Sequence, residues 1–169
     1  MKHCLSRNHR LRPRAFTLIE MLVVILIIAI LSAIAIPTYL GYRARAQDAA
    51  AVELVRNGLT AVQSALAEVG NYARVTEAIL EEEDHNIDWV PAAGDIVVVS
   101  GTPTIDTSAT TARADMEQIG YFVDPPNRID IASLSASGSW FAIQVDLQNQ
   151  SETGYVKIKW VDGSVEEGW

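Results

Sequence analysis

The feature that most constrains this chain is an apolar segment close to its N-terminus. From Phe16 to Ile36 there are 21 residues, all apolar except Thr17, Glu20 and Ser32. As a helix, a segment of that length spans roughly 31 Å, which matches the hydrocarbon core of a bilayer. The preceding residues 1–15 contain five cations and no acid. This cationic flank predicts that the N-terminus stays in the cytoplasm and that the remainder is exported.

Three kinds of N-terminus fit this pattern. The first is a plain transmembrane anchor. The second is an ordinary secretory signal peptide, because Ala33-Ile34-Ala35 supplies the small residues that signal peptidase needs and cleavage there would release a soluble protein. Against it, the leader is long and Glu20 lies just inside the apolar run. The third is cleavage before the apolar segment, between Ala15 and Phe16, which leaves the hydrophobic helix on the mature protein.

The residues at that junction carry a family resemblance. A basic leader, a small residue, Phe16, Glu20 four positions later and an unbroken apolar run occur together. This combination resembles the class III signal of type IV prepilins and of the related pseudopilins, and the similarity extends from Arg14 to about Ala73. In that family a dedicated peptidase cuts before the Phe and methylates the new amino group. The resemblance therefore implies cleavage between Ala15 and Phe16, although the family usually has Gly where this chain has Ala15.

Glu20 requires a physical explanation, because a carboxylate at the centre of a membrane helix costs about 2.5–3.5 kcal/mol on insertion scales. The simplest interpretation is an interfacial Glu that reaches water. The other begins with cleavage, which creates an α-amine on Phe16 that is largely protonated at neutral pH. In a bundle of such helices, the amine of one subunit would neutralise the buried Glu20 of its neighbour. This predicts that Glu20 sets the register of a filament, a role that the resemblance also implies.

Beyond Pro37 the sequence predicts the amphipathic half of the same helix, over residues 37–70. Apolar residues recur at intervals of three and four, as expected for a helix packed on one side: Val52, Val55, Leu59, Val62, Leu66 and Val69. The opposite side is polar: Glu53, Arg56, Asn57, Thr60, Gln63, Ser64 and Glu68. Gly70 and Asn71 predict the end of the helix. Pro37 predicts a kink, since it removes one backbone hydrogen bond.

Residues 71–169 favour β-strands and predict a globular head. Apolar or alternating runs occur at Asp95–Ser100, Ile119–Val123, Trp140–Leu147 and Tyr155–Val161, with a turn before Ser164-Val165-Glu166. In the third run Phe141, Ile143, Val145 and Leu147 are predicted to face inward and Gln144 and Asp146 outward. In the fourth, Val156, Ile158 and Trp160 are predicted inward and Tyr155, Lys157 and Lys159 outward. A short helix is expected over Thr76–Asp84, with Thr76 as its cap.

Together these elements predict an α+β fold. A long N-terminal helix, transmembrane in its first half, packs through its second half on an antiparallel β-sheet head.

The composition argues against catalysis. The single cysteine, Cys4, lies in the leader, and His85 is the one histidine beyond residue 15. Neither a nucleophile-and-base pair nor a known zinc spacing can be assembled from these residues, so we predict no enzyme activity, no cofactor and no metal. Residues 16–169 carry eight cations against 21 acids, a net charge of −13. This acidity excludes a general nucleic-acid binder.

Three minor candidates remain in the head. Oxygen ligands alternate over Asp84–Asp88 and Asp95 follows, but Trp89 stands where a calcium loop needs Gly, which favours a solvated acidic loop. The polar run Ser100–Thr111 predicts a surface loop. Asn149-Gln150-Ser151 matches a glycosylation sequon.

The function that the sequence and the resemblance imply is that of a structural subunit, a type IV pilin precursor that polymerises through its N-terminal helix. Its implied partners are other pilin subunits, the prepilin peptidase, the membrane before assembly, and an inner-membrane assembly platform with its ATPase. The precursor would lie in the inner membrane and the assembled subunit in a pilus at the cell surface. The alternatives are a pseudopilin of a type II secretion or DNA-uptake system and, from another class, a secreted binding protein.

Overall fold

The computed structural model describes residues 16–98, 103–148, 155–161 and 163–169, and its fold is α+β, as predicted. Two α-helices are present in this part of the chain: α1 (Leu18–Val69) and α2 (Glu77–Glu83). Eight strands follow: β1 (Asp88–Pro91), β2 (Val97–Val98), β3 (Thr104–Ile105), β4 (Gln118–Asp124), β5 (Arg128–Leu134), β6 (Trp140–Asp146), β7 (Tyr155–Val161) and β8 (Ser164–Glu167). The chain divides into two compact units between Leu40 and Gly41.

Helix α1 is 52 residues long and is assigned as helix through Pro37. It ends at Val69 because Gly70 adopts a left-handed φ of 82°, a conformation that costs glycine little, and the Gly70 N–H donates to the Leu66 carbonyl at 2.8 Å. The predicted stop at Gly70 is therefore confirmed. The short helix predicted after it is also confirmed as α2, with Thr76 at the N-cap position, although the Thr76 side chain makes no capping hydrogen bond.

The main sheet has six strands in the order β1-β4-β5-β6-β7-β8, and its neighbours are antiparallel except at one edge. There β1 pairs with β4 in parallel, with Trp89 opposite Ile119. The prediction of a wholly antiparallel sheet is wrong at this edge. The reason is that β1 and β4 are joined by a long connection, which contains the separate pair of β2 and β3, and not by a short hairpin turn. Such a connection allows the two strands to run in the same direction.

One face of the sheet packs on the second half of α1. Val55 and Val62 are fully buried there, and Val52, Leu59, Leu66 and Val69 are partly buried at the sides of the stripe. The residues predicted for the polar side of the helix are all exposed. Gly58 lies at the closest approach of helix and sheet, because a Cβ there would overlap Ile119 Cδ1. The predicted stripe is confirmed, and a glycine and three alanines (Ala51, Ala61 and Ala65) also lie buried on it.

The opposite face of the sheet is covered as well, by the segment that contains β2 and β3. Ile96, Val97, Ile105 and Ala109 pack against Trp140, Ala142 and Ile158 in a second apolar cluster. The prediction of a surface loop over residues 100–111 is therefore wrong for the described part, 103–111, which contains β3 and packs on the sheet. That part buries Pro103, Ile105, Ala109 and Thr110, because its few apolar residues are aligned on one side.

Covering both faces also changes which side chains of β6 and β7 are inside. In β6 Trp140, Ala142 and Gln144 are buried as fully as Phe141, Ile143 and Val145, and Leu147 lies beyond the strand with half of its surface exposed. In β7 Ile158 is buried and Val156 and Trp160 pack in the second cluster, on the face away from α1.

The predicted outward side of β7 instead faces the helix layer. Tyr155 packs against the cluster that contains α1, and the Lys159 ammonium lies 5.9 Å from the Phe141 ring centroid. The side chains predicted to face inward, Phe141, Ile143 and Val145 of β6 and Ile158 of β7, are buried as expected. The prediction that the opposite faces point to solvent is wrong, because both faces of the sheet are covered. Of the run Asp95–Ser100, Val97–Val98 is the strand in the part that the structure describes.

Candidate functional site

The N-terminus of α1 holds the residues that the sequence singled out. The helix begins at Leu18, so Thr17 is its N-cap and Glu20 its third residue. Glu20 Oε2 accepts hydrogen bonds from the Thr17 backbone N–H at 2.9 Å and from the Thr17 hydroxyl at 2.8 Å. The Glu20 N–H donates in return to Thr17 Oγ1 at 3.3 Å. This reciprocal arrangement is a capping box, which satisfies two N–H groups that would otherwise lack a partner.

The sequence prediction missed this role of Thr17 and Glu20. The signal was available, because Thr-x-x-Glu directly before an apolar run is the pattern of a capping box. A carboxylate in the first turn also interacts favourably with the positive end of the helix dipole. In the single chain, therefore, Glu20 already has a local structural function and two hydrogen-bond donors.

The other predicted residues lie around this cap and further along α1. Phe16 precedes it and 73% of its surface is exposed. Ala15, on the other side of the predicted cleavage, lies outside the described residues, and so do Cys4 and the leader. Pro37 has no N–H to donate to the Ala33 carbonyl, and one residue later the Thr38 hydroxyl donates to the Ile34 carbonyl at 3.0 Å.

The first half of α1 presents an apolar surface. Among the described residues, α1 is the one helix long and apolar enough to cross a membrane, and none of its most apolar window is buried. Leu18 and Ile34 expose 82% and 70% of their surfaces. So many exposed large apolar side chains are unusual for a soluble protein and indicate burial in a membrane or against other chains.

Comparison with known proteins supports the same interpretation. A family profile described as the prokaryotic N-terminal methylation motif matches residues 10–36. A fimbrial protein of Pseudomonas aeruginosa is 51% identical over 55 residues, which are 32% of this chain and 36% of that protein. The type IV major pilin protein PilA of Myxococcus xanthus (strain DK1622) is 40% identical over 62 residues, which are 37% of this chain and 28% of that protein. The N-terminal part of the chain is thus similar to that of type IV pilins.

The similarity covers only part of each protein. Fimbrial protein Q of Moraxella bovis, 41% identical over 71 residues, matches 42% of this chain and 45% of its own length. The chain thus spans less than half the length of these curated relatives, and no solved structure matches it.

The acidic run after α2 does not gather into a metal site. Asp84 Oδ1 accepts from the backbone and side-chain nitrogens of Asn86, at 2.9 and 3.1 Å. Asp88 Oδ2 accepts from Gln118 Nε2 at 2.8 Å, and Asp95 pairs with Arg128 at 2.6 Å. In the part of the chain that the structure describes, no three His, Cys, Asp or Glu side chains stand close enough to share a metal ion. The sequon at Asn149 lies outside the described residues.

Among the described residues of the head, one carboxylate is fully buried, which the sequence did not reveal. Asp130 is fully buried in β5, where its carboxylate accepts from the Val97 N–H at 2.9 Å and from Gln144 Nε2 at 3.0 Å. Burial raises the pKa of Asp130 above its ordinary value, while these hydrogen bonds and the charge of Arg128, 3.8 Å away, act in the opposite direction. These hydrogen bonds attach the segment that contains β2 and β3, called the covering segment below, to the sheet.

Proposed function

We propose that the chain is the precursor of a type IV pilin, a structural subunit that polymerises into an extracellular filament. The observation that carries the proposal is the prepilin motif placed at the start of a helix whose first half exposes apolar side chains throughout. Residues 1–15 would be the cleaved leader, 16–36 the membrane and filament-core helix, 37–70 its amphipathic continuation, and 71–169 the head. The names of the relatives, fimbrial protein and type IV major pilin protein, favour a pilin over a pseudopilin.

Processing is the first step of this proposal. The peptidase would cut between Ala15 and Phe16 on the cytoplasmic side and methylate the new amine of Phe16. The five cations of the leader hold that side in the cytoplasm. Assembly would then require a membrane platform and its ATPase, as the resemblance to prepilins implies.

N-terminal sequencing of the protein from cells tests the processing step. We expect the mature chain to begin at methylated Phe16. A mature chain beginning at Ile36 would instead support a secreted protein with an ordinary signal peptide, and one beginning at Met1 would support a plain membrane anchor.

In the assembled filament we propose that Glu20 of one subunit pairs with the Phe16 amine of a neighbour. A carboxylate buried among apolar helices without a partner costs several kcal/mol, and the ammonium group offsets this cost in one axial register. Because of the capping box, Glu20 would exchange its hydrogen bonds with Thr17 for a bond with the amine of the neighbouring subunit. Thr17 already donates to Glu20 in the single chain, so the incoming amine must provide a stronger, charge-assisted bond.

The Glu20→Val substitution tests the register role. We expect the variant to insert in the membrane but to form no ordered filaments, as seen by electron microscopy of sheared cell surfaces. Glu53→Val, at an exposed acid of the second half of α1, is the matched control and should leave filaments intact. Normal filaments from the Glu20 variant would contradict the proposal.

We propose that α1 loses helical hydrogen bonds next to Pro37. The helix lacks one backbone hydrogen bond there, and we expect the residues before Pro37 to lose helicity when the filament forms. Amide hydrogen exchange of filaments, compared with the single chain in detergent, would show faster exchange at residues 33–36. Equal protection in both states would count against this role.

A further inference from the structure

Two arginines that follow the apolar segment have no partner among the described residues. Arg43 and Arg45 are exposed and make no ion pair or hydrogen bond with that part of the chain. The nearest acid further along α1 is Asp48, which already accepts hydrogen bonds from Ser137 and Ser139 in the turn between β5 and β6. These two charges are therefore available to a ligand outside the chain.

Such free cations are unusual in this protein, because acids outnumber cations by 21 to eight beyond the leader. Most of the other cations are engaged. Arg113, Arg128 and Lys159 have carboxylate partners. Arg56 and Lys157 lie over the Trp169 ring, at 5.3 and 5.2 Å from its centroid. Among the described residues, three cations have neither a carboxylate partner nor an aromatic ring beneath them: Arg74 in the head, and Arg43 and Arg45.

Arg43 and Arg45 lie outside the side of α1 that packs on the head, on opposite flanks of the helix, because residues two apart are separated by about 160° around it. In the same turns Ala44, Gln47 and Asp48 are half-buried, which marks the side that packs on the head, whereas Arg43 and Arg45 are exposed. Tyr42 is also on the outer side and exposes 64% of its surface. A tyrosine beside arginines at the end of an apolar helix is the composition typical of a membrane interface.

Their distance along the chain fits the head-group region. Tyr42, Arg43 and Arg45 follow Ile36 by six to nine residues, which corresponds to about 9 to 14 Å of helix. Each head-group layer is about 5–8 Å thick. Long arginine side chains reach back toward the interface along such a helix. The guanidinium groups can therefore contact lipid phosphates while residues 16–36 occupy the hydrocarbon core.

We propose that Tyr42, Arg43 and Arg45 form an interfacial anchor that binds the head groups of anionic phospholipids before the subunit enters a filament. The proposal rests on the proposed function for the side of the membrane involved, the leaflet facing the exported head. Arginine can bind the phosphate of either lipid in a bidentate manner. The net negative charge of anionic lipids selects them over zwitterionic ones, whose choline cation repels the guanidinium group. With two such cations against five in the leader, the cytoplasmic location of the N-terminus is preserved.

Lipid selectivity of the full chain in vesicles tests the anchor. Spin-labelled phosphatidylglycerol and phosphatidylcholine are compared by electron paramagnetic resonance for the fraction of lipid immobilised by the protein. We expect the Arg43→Gln/Arg45→Gln variant to lose phosphatidylglycerol selectivity, by about fivefold per arginine at low salt. High salt should remove most of this difference. The cations of the leader contribute equally to both proteins and cancel in the comparison.

The matched control is Arg74→Gln/Arg113→Gln, which removes the same charge from the head. It should keep the selectivity of the unchanged chain, and circular dichroism should show equal helix content in all three proteins. Equal selectivity of the anchor variant and the unchanged chain would overturn the proposal, and so would an equal loss in the control. The measurement needs no assembly machinery, so a chain that forms no filaments could still show the anchor. Conversely, filaments without lipid selectivity would reject the anchor alone.

Discussion

Asp130 is a fully buried carboxylate in the middle of the sheet. Its carboxylate is fully buried between the sheet and the covering segment, and burial raises its pKa. The folded pKa then lies above the unfolded one, so the contribution to stability is complete below the unfolded value, near 3.8, and is lost as the pH rises through the folded pKa. Asp130 thus makes the head less stable toward neutral pH than an uncharged side chain of the same shape would.

The Asp130→Asn substitution should remove this pH dependence. The free energy of unfolding, from urea titrations of the full chain in detergent, should fall with rising pH above about 4 more steeply in the unchanged chain than in the variant. A pH-independent loss of about 1–3 kcal/mol is also expected, because Asn has one acceptor oxygen for two donors. Parallel pH curves for the two proteins would contradict this assignment.

Asp106 provides a control of opposite sign. Its carboxylate accepts from the hydroxyl and the N–H of Ser108, at 2.6 and 2.9 Å, and these bonds lower its pKa. The stability it contributes is present above the unfolded pKa and is lost as the pH falls through the folded one. Asp106→Asn should therefore reduce the rise of the unfolding free energy with pH in the acid range. Asp130→Asn should instead reduce its fall with pH.

Gly120 is a position where one added methyl group should lower the free energy of unfolding. It lies in β4 against Thr110 of the covering segment, and a Cβ at this position would lie 2.7 Å from Thr110 Cβ. Gly120→Ala should cost about 1–3 kcal/mol of unfolding free energy, through displacement of Thr110. Gly94→Ala, where a Cβ meets open space, should leave the urea midpoint nearly unchanged. Equal midpoints for the two variants would show that the covering segment yields without strain.

At the scale of the element, the second half of α1 is held by a narrow buried stripe. Val62 is fully buried in it, whereas Thr60 on the other side is exposed. Val62→Ala should lower the unfolding free energy by about 2 kcal/mol, because it removes buried apolar surface and leaves a cavity. Thr60→Ala should stay within about 0.5 kcal/mol. Thermal unfolding monitored by tryptophan fluorescence distinguishes the two, and a Val62 variant as stable as the Thr60 variant would show that the stripe collapses around the gap.

The elements that could be predicted from the sequence are those with a local signal. Helix α1 has a helical apolar period and a glycine stop, and β4, β6 and β7 are apolar or alternating runs. Strand β5 was missed although Ile129 and Ile131 alternate with Arg128 and Asp130, and the burial of Asp130 on the other face could not be foreseen. The donors that make this Asp acceptable, Val97 and Gln144, are 33 and 14 residues away in the sequence. Strand β1 has only four residues and takes its place through the parallel pairing with β4.

The same distinction applies to the candidate site. The Thr17–Glu20 cap is encoded within four residues, so a closer inspection of the pattern predicts it. The hydrogen bonds that Asp48 accepts from Ser137 and Ser139 join positions about 90 residues apart, and no short pattern indicates them. Arg43 and Arg45 lack an acidic partner in part because Asp48 is engaged by these distant serines, and this could be seen only in the folded structure.

At the scale of the whole molecule, Trp169 joins the helix layer to the sheet without any disulfide. Its ring lies edge-on to Phe141 at 5.7 Å, Arg56 of α1 lies over it, and its Nε1 donates to the Ile158 carbonyl at 3.2 Å. Trp169→Ala should cost about 2 kcal/mol of unfolding free energy, because the ring is only partly buried but loses both aromatic and cationic contacts. Trp169→Phe should recover most of this loss in urea titrations. If both variants lose the same amount, the Nε1 hydrogen bond rather than the ring is responsible.

The order of the strands also has a consequence for how the head is made. From β5 to β8 each strand pairs with the one that precedes it in the sequence. If the N-terminus stays in the cytoplasm, as proposed, the head is exported starting from the residues that follow the membrane helix. Each of these strands can then pair as soon as it appears, because its partner is already outside. The exception is β1, which emerges early and must wait for β4. Until then its edge is unpaired, and this interval is when the emerging subunit is most exposed to proteases and to pairing with the wrong chain.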